Sequence, residues 1–419
     1  MNEYNLVSEL DQQYIQEVQS LVSKVCRERR RVAIFGASRG GWYVKKVLEY
    51  YGVNILAFID NDIEKRGHFQ GCPVLSPDAV LAHTSRVMVF LGIFNHNTAK
   101  SVKSNLVRDY GPDLDVISCL DAMLFIYLSE IANRNSNPVA LANGIHILFK
   151  HYAENNWYGE TRDGEFVAPF TTVVITQKCT LRCRDCGQMI PYYRNPVHFP
   201  VETIVRDIEK YAQAFDVVPE ISLHGGEPFL YPDLVRLCRE IATIPNIVFI
   251  NFITNGTLLP RDEIFAVMSE CGVDIHQSDY GRYSKKQSHI WSACRKHGIF
   301  CDVLYTTADK NWLQMPPLRK HNRSPEKNQE IYRQCVDSNI CCQIMAGELH
   351  RCAISLHASK QGVIPLFKDD WVDLGCYSNV ELRPRIRRFF TGKTVLRACD
   401  YCDPQNAVVV PPALQLPCG

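Results

Sequence analysis

No uncharged apolar run in this sequence approaches the roughly 18 to 20 residues that a bilayer span requires, which excludes a membrane-spanning helix. Net charge is nearly absent too. The 46 Lys and Arg stand against 45 Asp and Glu, a formal +1, so no excess of positive charge supplies a dedicated nucleic-acid surface. Internal repeats and low-complexity tracts are missing, and 46% hydrophobic with 22% charged residues excludes a disordered bulk. The opening residues, MNEYNLVSELDQQYIQEVQ, are polar and acidic and lack the pattern of an export signal, so a cytoplasmic location is expected. Cysteine, by contrast, is plentiful at 18 residues. In a reducing compartment these are not a disulfide scaffold, and closely spaced thiols read as metal or Fe–S ligands. Cys26, Cys119, Cys238, Cys271, Cys294 and Cys301 stand singly in apolar or amphipathic stretches and read as small hydrophobes.

A length of 419 residues favours two to four domains in an α/β fold. After a helical opening, RRVAIFGASRGGWYVKKVLEYYGVNILAFIDND reads as a βαβ unit, and RVMVFLGIFN with TAKSVKSNLVRDYG continues the alternation. Residues 1–130 are therefore expected to form a doubly wound, Rossmann-like domain. Residues 131–168 turn irregular and read as a linker. From Thr171 the stretches FTTVVIT, EISLHGG, IVFINFITNG and GVDIHQSDYG are short, β-branched and each followed by a helical pattern. Such βα repeats predict a partial (β/α)6 TIM-type barrel over 169–316, with functional residues at the carboxyl ends of its strands. Residues 317–419 become loop-like and cysteine-rich, as a small Fe–S domain would be.

The stretch TQKCTLRCRDCGQMIP places Cys179, Cys183 and Cys186 in a C-x3-C-x2-C pattern directly after the first barrel strand. Three thiolates on one loop suit three irons of a cubane and leave the fourth iron open, whereas a tetrahedral zinc site would want a fourth ligand nearby. LHGGEPFLYPDL ends the next strand: Gly225 and Gly226 leave backbone groups unobstructed, and Glu227 adds a carboxylate. ITNGT brings Thr254 and Asn255 to the same rim. In this order the three motifs resemble the radical S-adenosylmethionine superfamily over roughly residues 170–310. The resemblance implies a [4Fe-4S] cluster on the three cysteines, with its open iron chelating S-adenosylmethionine. It also implies contacts to the methionyl amino group from Gly225, Gly226 and Glu227, and nearby roles for Thr254, Asn255 and Ser278. The family's aromatic residue before the third cysteine, set against the adenine, is here Asp185.

Further on, Cys335, Gly347 and Cys352, then Cys399 and Cys402 in RACDYCDP, make a complete four-thiolate set that spacing alone gives equally to zinc or a second cluster. Beside a radical S-adenosylmethionine core the set resembles the twitch, or shortened SPASM, extension, which implies one auxiliary [4Fe-4S] cluster. Cys341, Cys342, Cys376 and Cys418 are left over; Cys341 or Cys342 is a candidate hydrogen-atom donor or substitute ligand. At the N-terminus, the turn IFGASRGG, with Gly36, Ser38 and Gly41, could seat a phosphate, and Asp60 could meet a ribose hydroxyl. The stretch through AFIDNDIEKRGHFQGCPVLSPDAV resembles the N-terminal domain of sialic-acid-type sugar O-acyltransferases, which implies a nucleotide-activated sugar. His224, His276, Asp279 and Tyr280 stand at strand ends where they could face a substrate or serve as wall residues, and YYRNP shapes the cavity.

Together these features predict an enzyme that generates a 5′-deoxyadenosyl radical to oxidise or epimerise a carbinol carbon of a nucleotide-linked sugar. A flavodoxin or ferredoxin is the expected reductant. A peptide maturase of the SPASM type is the alternative, and a non-catalytic Fe–S module a third.

Overall fold

The computed structural model describes residues 10, 12–82, 87–154, 158–305, 312–315, 317–335, 340–392, 395–403 and 407–417, with backbone alone at 63, 304 and 305. Cys418 lies outside them. The chain divides into two compact units, Met1–Trp157 and Tyr158–Gly419. Among the described residues no helix is long and apolar enough to cross a membrane.

In the first unit the apolar runs become strands β1 (Arg31–Phe35), β2 (Ile55–Ile59), β3 (Gly67–Phe69), β4 (Cys72–Leu75), β5 (Val87–Leu91) and β6 (Asp115–Ile117), ordered β3-β4-β2-β1-β5-β6. All pairs are parallel except β3–β4. Around the sheet run α1 (Gln12–Arg27), α2 (Arg39–Tyr50), α3 (Pro77–Leu81), α4 (His96–Tyr110), α5 (Leu120–Ile126) and α6 (Pro138–Ala153). The last of these corrects the reading of 131–168 as irregular connection. Asn137 caps α6 by accepting from the Ala140 N–H, Pro138 suits the first turn, and Leu141, Ile145 and Leu148 bury one face. The polar cap, not a loop, is what gave this segment its irregular look.

The second unit opens with a short hairpin, β7 (Gly159–Glu160) and β8 (Phe166–Val167), and then builds five successive parallel strands: β9 (Phe170–Thr176), β10 (Val218–Gly225), β11 (Ile247–Thr254), β12 (Val273–Ser278) and β13 (Cys301–Tyr305). Helices α7 (Val201–Ala212), α8 (Leu234–Ala242), α9 (Asp262–Cys271) and α10 (Gln287–His297) connect them. The sixth parallel strand does not continue the series. After β14 (Trp312–Leu313) and α11 (Pro325–Gln334), strand β15 (Cys341–Met345) pairs with the free edge of β9. From there β16 (Glu348–His350) and β17 (Trp371–Asp373) extend the sheet antiparallel. Helices α12 (Ala353–Lys360) and α13 (Asn379–Thr391) and strand β18 (Val409–Val410) complete the unit. Residues 317–419 therefore do not stand apart as a body; they finish the partial barrel's sheet.

Strand alternation sorts the barrel residues. Val173, Ile175, Ile221, Leu223, Ile250, Phe252, Val273, Ile275, Cys301, Cys342 and Ile344 enter one core beneath the helices. Their alternates, Thr172, Glu220, Ser222, His224, Asn251, Asp274, His276, Asp302 and Gln343, therefore point to the inner face.

Candidate active site

The three-cysteine loop leaves the carboxyl end of β9, and all three thiols are free. They lie close enough that Cys179 feels the charge of both other cysteines and Cys183 that of Cys186, and burial pushes Cys179 up to about 12, Cys183 to about 11 and Cys186 upward as well. Thiolates here need a compensating positive charge, which iron supplies. Each sulfur also meets N–H donors: Leu181 N (3.4 Å) and Asn255 Nδ2 (3.6 Å) at Cys179, Gln415 Nε2 (3.3 Å) at Cys183, and the amides of 188–190 at Cys186. Donors aimed at sulfur are what cluster ligands use. Among the described residues no three His, Cys, Asp or Glu side chains gather tightly enough for a single metal ion; a cubane instead spreads its ligands over separate irons. The residues fit the cluster.

The C-terminal segment holds this loop in shape. Arg184 N donates to Leu414 O (2.6 Å) and Leu416 N to Arg182 O (2.8 Å), while Gln415 Oε1 accepts from Arg182 N (2.7 Å). Asp185 is engaged within the protein: its carboxylate pairs with Arg184 and accepts from Met315 N (3.2 Å), and its carbonyl accepts from the Trp312 indole (2.9 Å). It tethers the β14 segment, and Trp312 in turn packs edge-on against Tyr280 at 5.3 Å.

The glycine pair serves the loop before any ligand. A Cβ on Gly225 would lie 2.1 Å from Thr176 O, and one on Gly226 1.9 Å from Lys178 O. Gly226 N and Glu227 N donate to those same two carbonyls at 2.8 and 2.9 Å. What the turn can still offer is carbonyl oxygen, an acceptor suited to an amino group. Glu227 is fully buried and accepts from Thr254 Oγ1 (2.7 Å), Asn255 N (2.9 Å) and Phe229 N (3.1 Å). Burial outweighs these bonds and raises its carboxyl to about 7. Ser278 ends β12, its carbonyl bonded by Ser284 Oγ, which also reaches Asn255 O. Asp279 only shapes a turn, accepting from Gly281 N.

Below the rim the inner face is polar. Gln343 Nε2 reaches Thr172 Oγ1 (3.1 Å), Gln188 Oε1 (2.8 Å) and His224 Nε2 (3.0 Å), and His357 bridges Gln188 to the Tyr193 hydroxyl. Burial lowers His224 to about 4 and His357 to about 3, so both are neutral near pH 7. A second group joins Asp302 to His276, places His276 Nε2 3.6 Å from Glu220, and bonds Glu220 to Asn251. Both histidines read from the sequence thus face inward. Glu220, Asn251, Asp274, Asp302, Gln188 and Gln343 went unread, although the alternation in EISLHGG and VDIHQSD marks the first strands plainly. Cys342 is misplaced for hydrogen donation: it faces the helices, its thiol 3.3 Å from Tyr211 Oη and 3.4 Å from Thr171 Oγ1. Cys341 shares the inner face but aligns with Phe170, at the end of β9 away from the cysteine loop.

The structure brings Cys335, Cys352, Cys399 and Cys402 together: the thiol of Cys352 feels the charge of the other three, and that of Cys399 feels Cys335 and Cys402. Cys335 ends α11, Cys352 precedes α12, and the pair 399 and 402 spans a tight turn whose carbonyls both bind Arg323. Cys376 lies apart and exposed, its thiol on Asp373.

In the N-terminal unit, Asp60 accepts from Ala37 N and Asp62 N (both 3.0 Å) and meets Lys65 Nζ at 3.4 Å, so its carboxylate braces the glycine turn. Gly41 packs against Gly36 O, where a Cβ would stand 2.0 Å away, and Ser38 Oγ reaches Gly92 O at 3.4 Å. A cavity of about 320 Å³ in this unit is lined by residues that include Asn61, Arg66, Asp78, Arg108 and Asp109, and by none of Gly36, Ser38, Gly41 or Asp60.

Residues 173–277 match the family model described as the Radical SAM superfamily. A GTP 3',8-cyclase of Acidothermus cellulolyticus is 34% identical over 93 residues, 21% of this chain and 26% of that protein. Another, of Moorella thermoacetica, is 36% identical over 135 residues, 29% of this chain and 40% of that protein. The chain thus spans between 26% and 40% of the length of these two relatives. Among solved structures, native anSMEcpe with bound AdoMet aligns with a TM-score of 0.37 at 13% identity, covering 56% of this chain and 83% of that one. The match to the family model falls on the strands that carry the cysteine loop, the glycine turn and the Thr254–Asn255 rim, and the chain therefore carries a radical SAM domain, of the superfamily that uses a [4Fe-4S] cluster and S-adenosylmethionine.

Proposed function

We propose that this radical SAM enzyme oxidises a carbinol carbon of a hydroxyl-rich, carbohydrate-like substrate, such as the sugar of a nucleotide sugar. The observation that carries the reading is the convergence of Cys335, Cys352, Cys399 and Cys402 in the same compact unit as the barrel. Cluster and S-adenosylmethionine, when bound, supply a 5′-deoxyadenosyl radical able to take a hydrogen atom from an unactivated C–H bond. Turning a carbinol into a carbonyl removes one hydrogen atom, one proton and one electron. The four-cysteine set would hold an auxiliary [4Fe-4S] group competent to receive that electron. Epimerisation needs a hydrogen donor on the substrate's far side, and Cys342, turned toward Tyr211, does not provide one.

The chain's own residues do the rest. Glu227, Thr254 and Asn255 form one bonded unit that orders the rim beside Cys179. The amide of Gln343 and neutral His224 present hydrogen-bonding groups to whatever occupies the inner face.

The names of the relatives favour a second reading, a nucleoside triphosphate substrate. Against it, the six parallel strands contain Glu220, Asp274 and Asp302 but no Lys or Arg. The test is anaerobic reconstitution, iron counting and assay of 5′-deoxyadenosine on the wild type and on a variant with the four C-terminal cysteines changed to alanine. Two cubanes require about eight irons in the wild type and about four in the variant. About four irons with one zinc in the wild type would remove the electron acceptor and with it the oxidation.

A further inference from the structure

We propose that the inner face of the partial barrel is a recognition site for a protonated amine borne on a hydroxyl-rich substrate, which deepens the reading above by naming the substrate's charge. The proposal rests on the radical SAM domain for the reaction but not on whether that reaction is oxidation.

Three observations carry it. The first is charge. Glu220 precedes Ile221, Asp274 lies between Val273 and Ile275, and Asp302 follows Cys301; those four neighbours all pack under the helices, so the three carboxylates share the inner face. They stand on β10, β12 and β13, three of four consecutive strands, where Asn251 of the intervening β11 is paired to Asp274, and His276 to Asp302. None of the six strands holds a Lys or Arg, so the cation these strands themselves carry is His276 if protonated, at most +1 against three carboxylates. His224 and His357, kept neutral by burial, do not alter that balance.

Hydrogen-bonding capacity is the second. Asn251 Oδ1 and Gln343 Oε1 are buried acceptors without a donor, on side chains whose residues are 0% and 2% exposed. Both stand on the inner face, Asn251 between Ile250 and Phe252 and Gln343 between Cys342 and Ile344. A buried acceptor left unsatisfied carries a desolvation penalty. Donors from a ligand would relieve it, and hydroxyls and ammonium groups are such donors.

Position is the third. Asn251 is aligned with Ser222 and with Asp274, and Ser222 and Gln343 are both aligned with Thr172, so both orphan acceptors and the Asp274 carboxylate line one layer across the strands, with Glu220 two residues before Ser222 and Asp302 level with His276, two residues past Asp274. A ligand filling that layer meets acceptors and negative charge together. An ammonium group supplies three N–H donors and the opposite charge; a phosphate or carboxylate supplies neither. Any phosphate of the substrate is thereby excluded from this layer.

Three small probes share a hydroxymethyl-bearing carbon and differ in charge: tris(hydroxymethyl)aminomethane as its cation, neutral pentaerythritol and anionic 2,2-bis(hydroxymethyl)propionate. Each is titrated by calorimetry into the reconstituted, full-length protein with S-adenosylmethionine present. The cation is expected to bind at least tenfold more tightly than the neutral polyol, and the anion not at all. Glu220→Gln with Asp302→Asn is expected to bring the cation down to the polyol's affinity. Asp302 lies on the edge strand with its side chain 40% exposed, so Asp302→Asn alone serves if the double variant fails to fold, with about a threefold loss of preference expected. Equal binding of cation and polyol, preference for the anion, or a cation preference that survives the substitutions would overturn the proposal. Loss of the radical SAM reading shows separately, as absence of bound iron and of 5′-deoxyadenosine in the same preparation.

Discussion

Gly226→Ala is the sharpest probe of how the barrel holds its cysteine loop. The new Cβ would stand 1.9 Å from Lys178 O, 2.5 Å from Lys178 C and 3.1 Å from Cys179 Cβ, where ordinary contact begins at 3.4 Å. Relief requires the loop to retreat by 3.4 − 1.9 = 1.5 Å, and the obstacle is backbone, which cannot swing aside as a side chain can. That retreat breaks the 2.9 Å bond from Glu227 N to Lys178 O and moves Cys179 with it. A functional constellation tolerates about 0.5 Å of misplacement, a third of what is forced here. Overpacking of this kind costs about 1–3 kcal/mol. Gly187→Ala is the control: Gly187 adjoins Cys186, yet a Cβ there meets nothing within 4 Å. Iron content after anaerobic reconstitution and thermal melting are the assays. The expected result is loss of most of the loop-bound cluster and a lower melting temperature for Gly226→Ala, with Gly187→Ala like the wild type. Full iron content and an unchanged melt for Gly226→Ala would refute the reasoning.

The remaining predictions use the same loop and its supports. Glu227, raised to about 7 by burial, binds its proton more tightly folded than unfolded, so its contribution to stability is present at low pH and is lost as pH rises through about 7. Denaturant melts of the ligand-free protein at pH 5 and 8 should therefore show a fall that Glu227→Gln removes, on the order of 3 kcal/mol; an identical fall in the variant would assign it elsewhere. Gln415→Leu removes the N–H donor to Cys183 and should shift the cluster's midpoint potential to more negative values in an EPR redox titration, because such bonds favour the more negative, reduced state. Cys342→Ala should lower stability by about 1 kcal/mol while S-adenosylmethionine cleavage is unchanged, since its thiol lies under the helices; loss of cleavage at unchanged stability would return it to the active site.

Local pattern carried most of what was legible in the sequence. The β-branched runs became parallel strands, and the three motifs at their carboxyl ends met at one rim, because a strand's side chains and its terminal turn are fixed by neighbours in the chain. What escaped was made by residues far apart. Gln415 binds Cys183 across 232 positions, and nothing near Gln415 in the sequence says so. Strand β15 takes the open edge of β9 in place of a sixth βα repeat, a choice made by edge pairing that periodicity cannot express. Its arrival decides the fate of two adjacent cysteines. Because successive residues of a strand face opposite sides, Cys342 goes under the helices and Cys341 and Gln343 go inward, so Gln343, not a thiol, reaches His224. The same two-residue period, applied to Glu220, Asp274 and Asp302, places their carboxylates on the inner face, away from the helix-side core. The chemistry of that face is thus written in the strands themselves, but it becomes readable only once the side facing the helices is known.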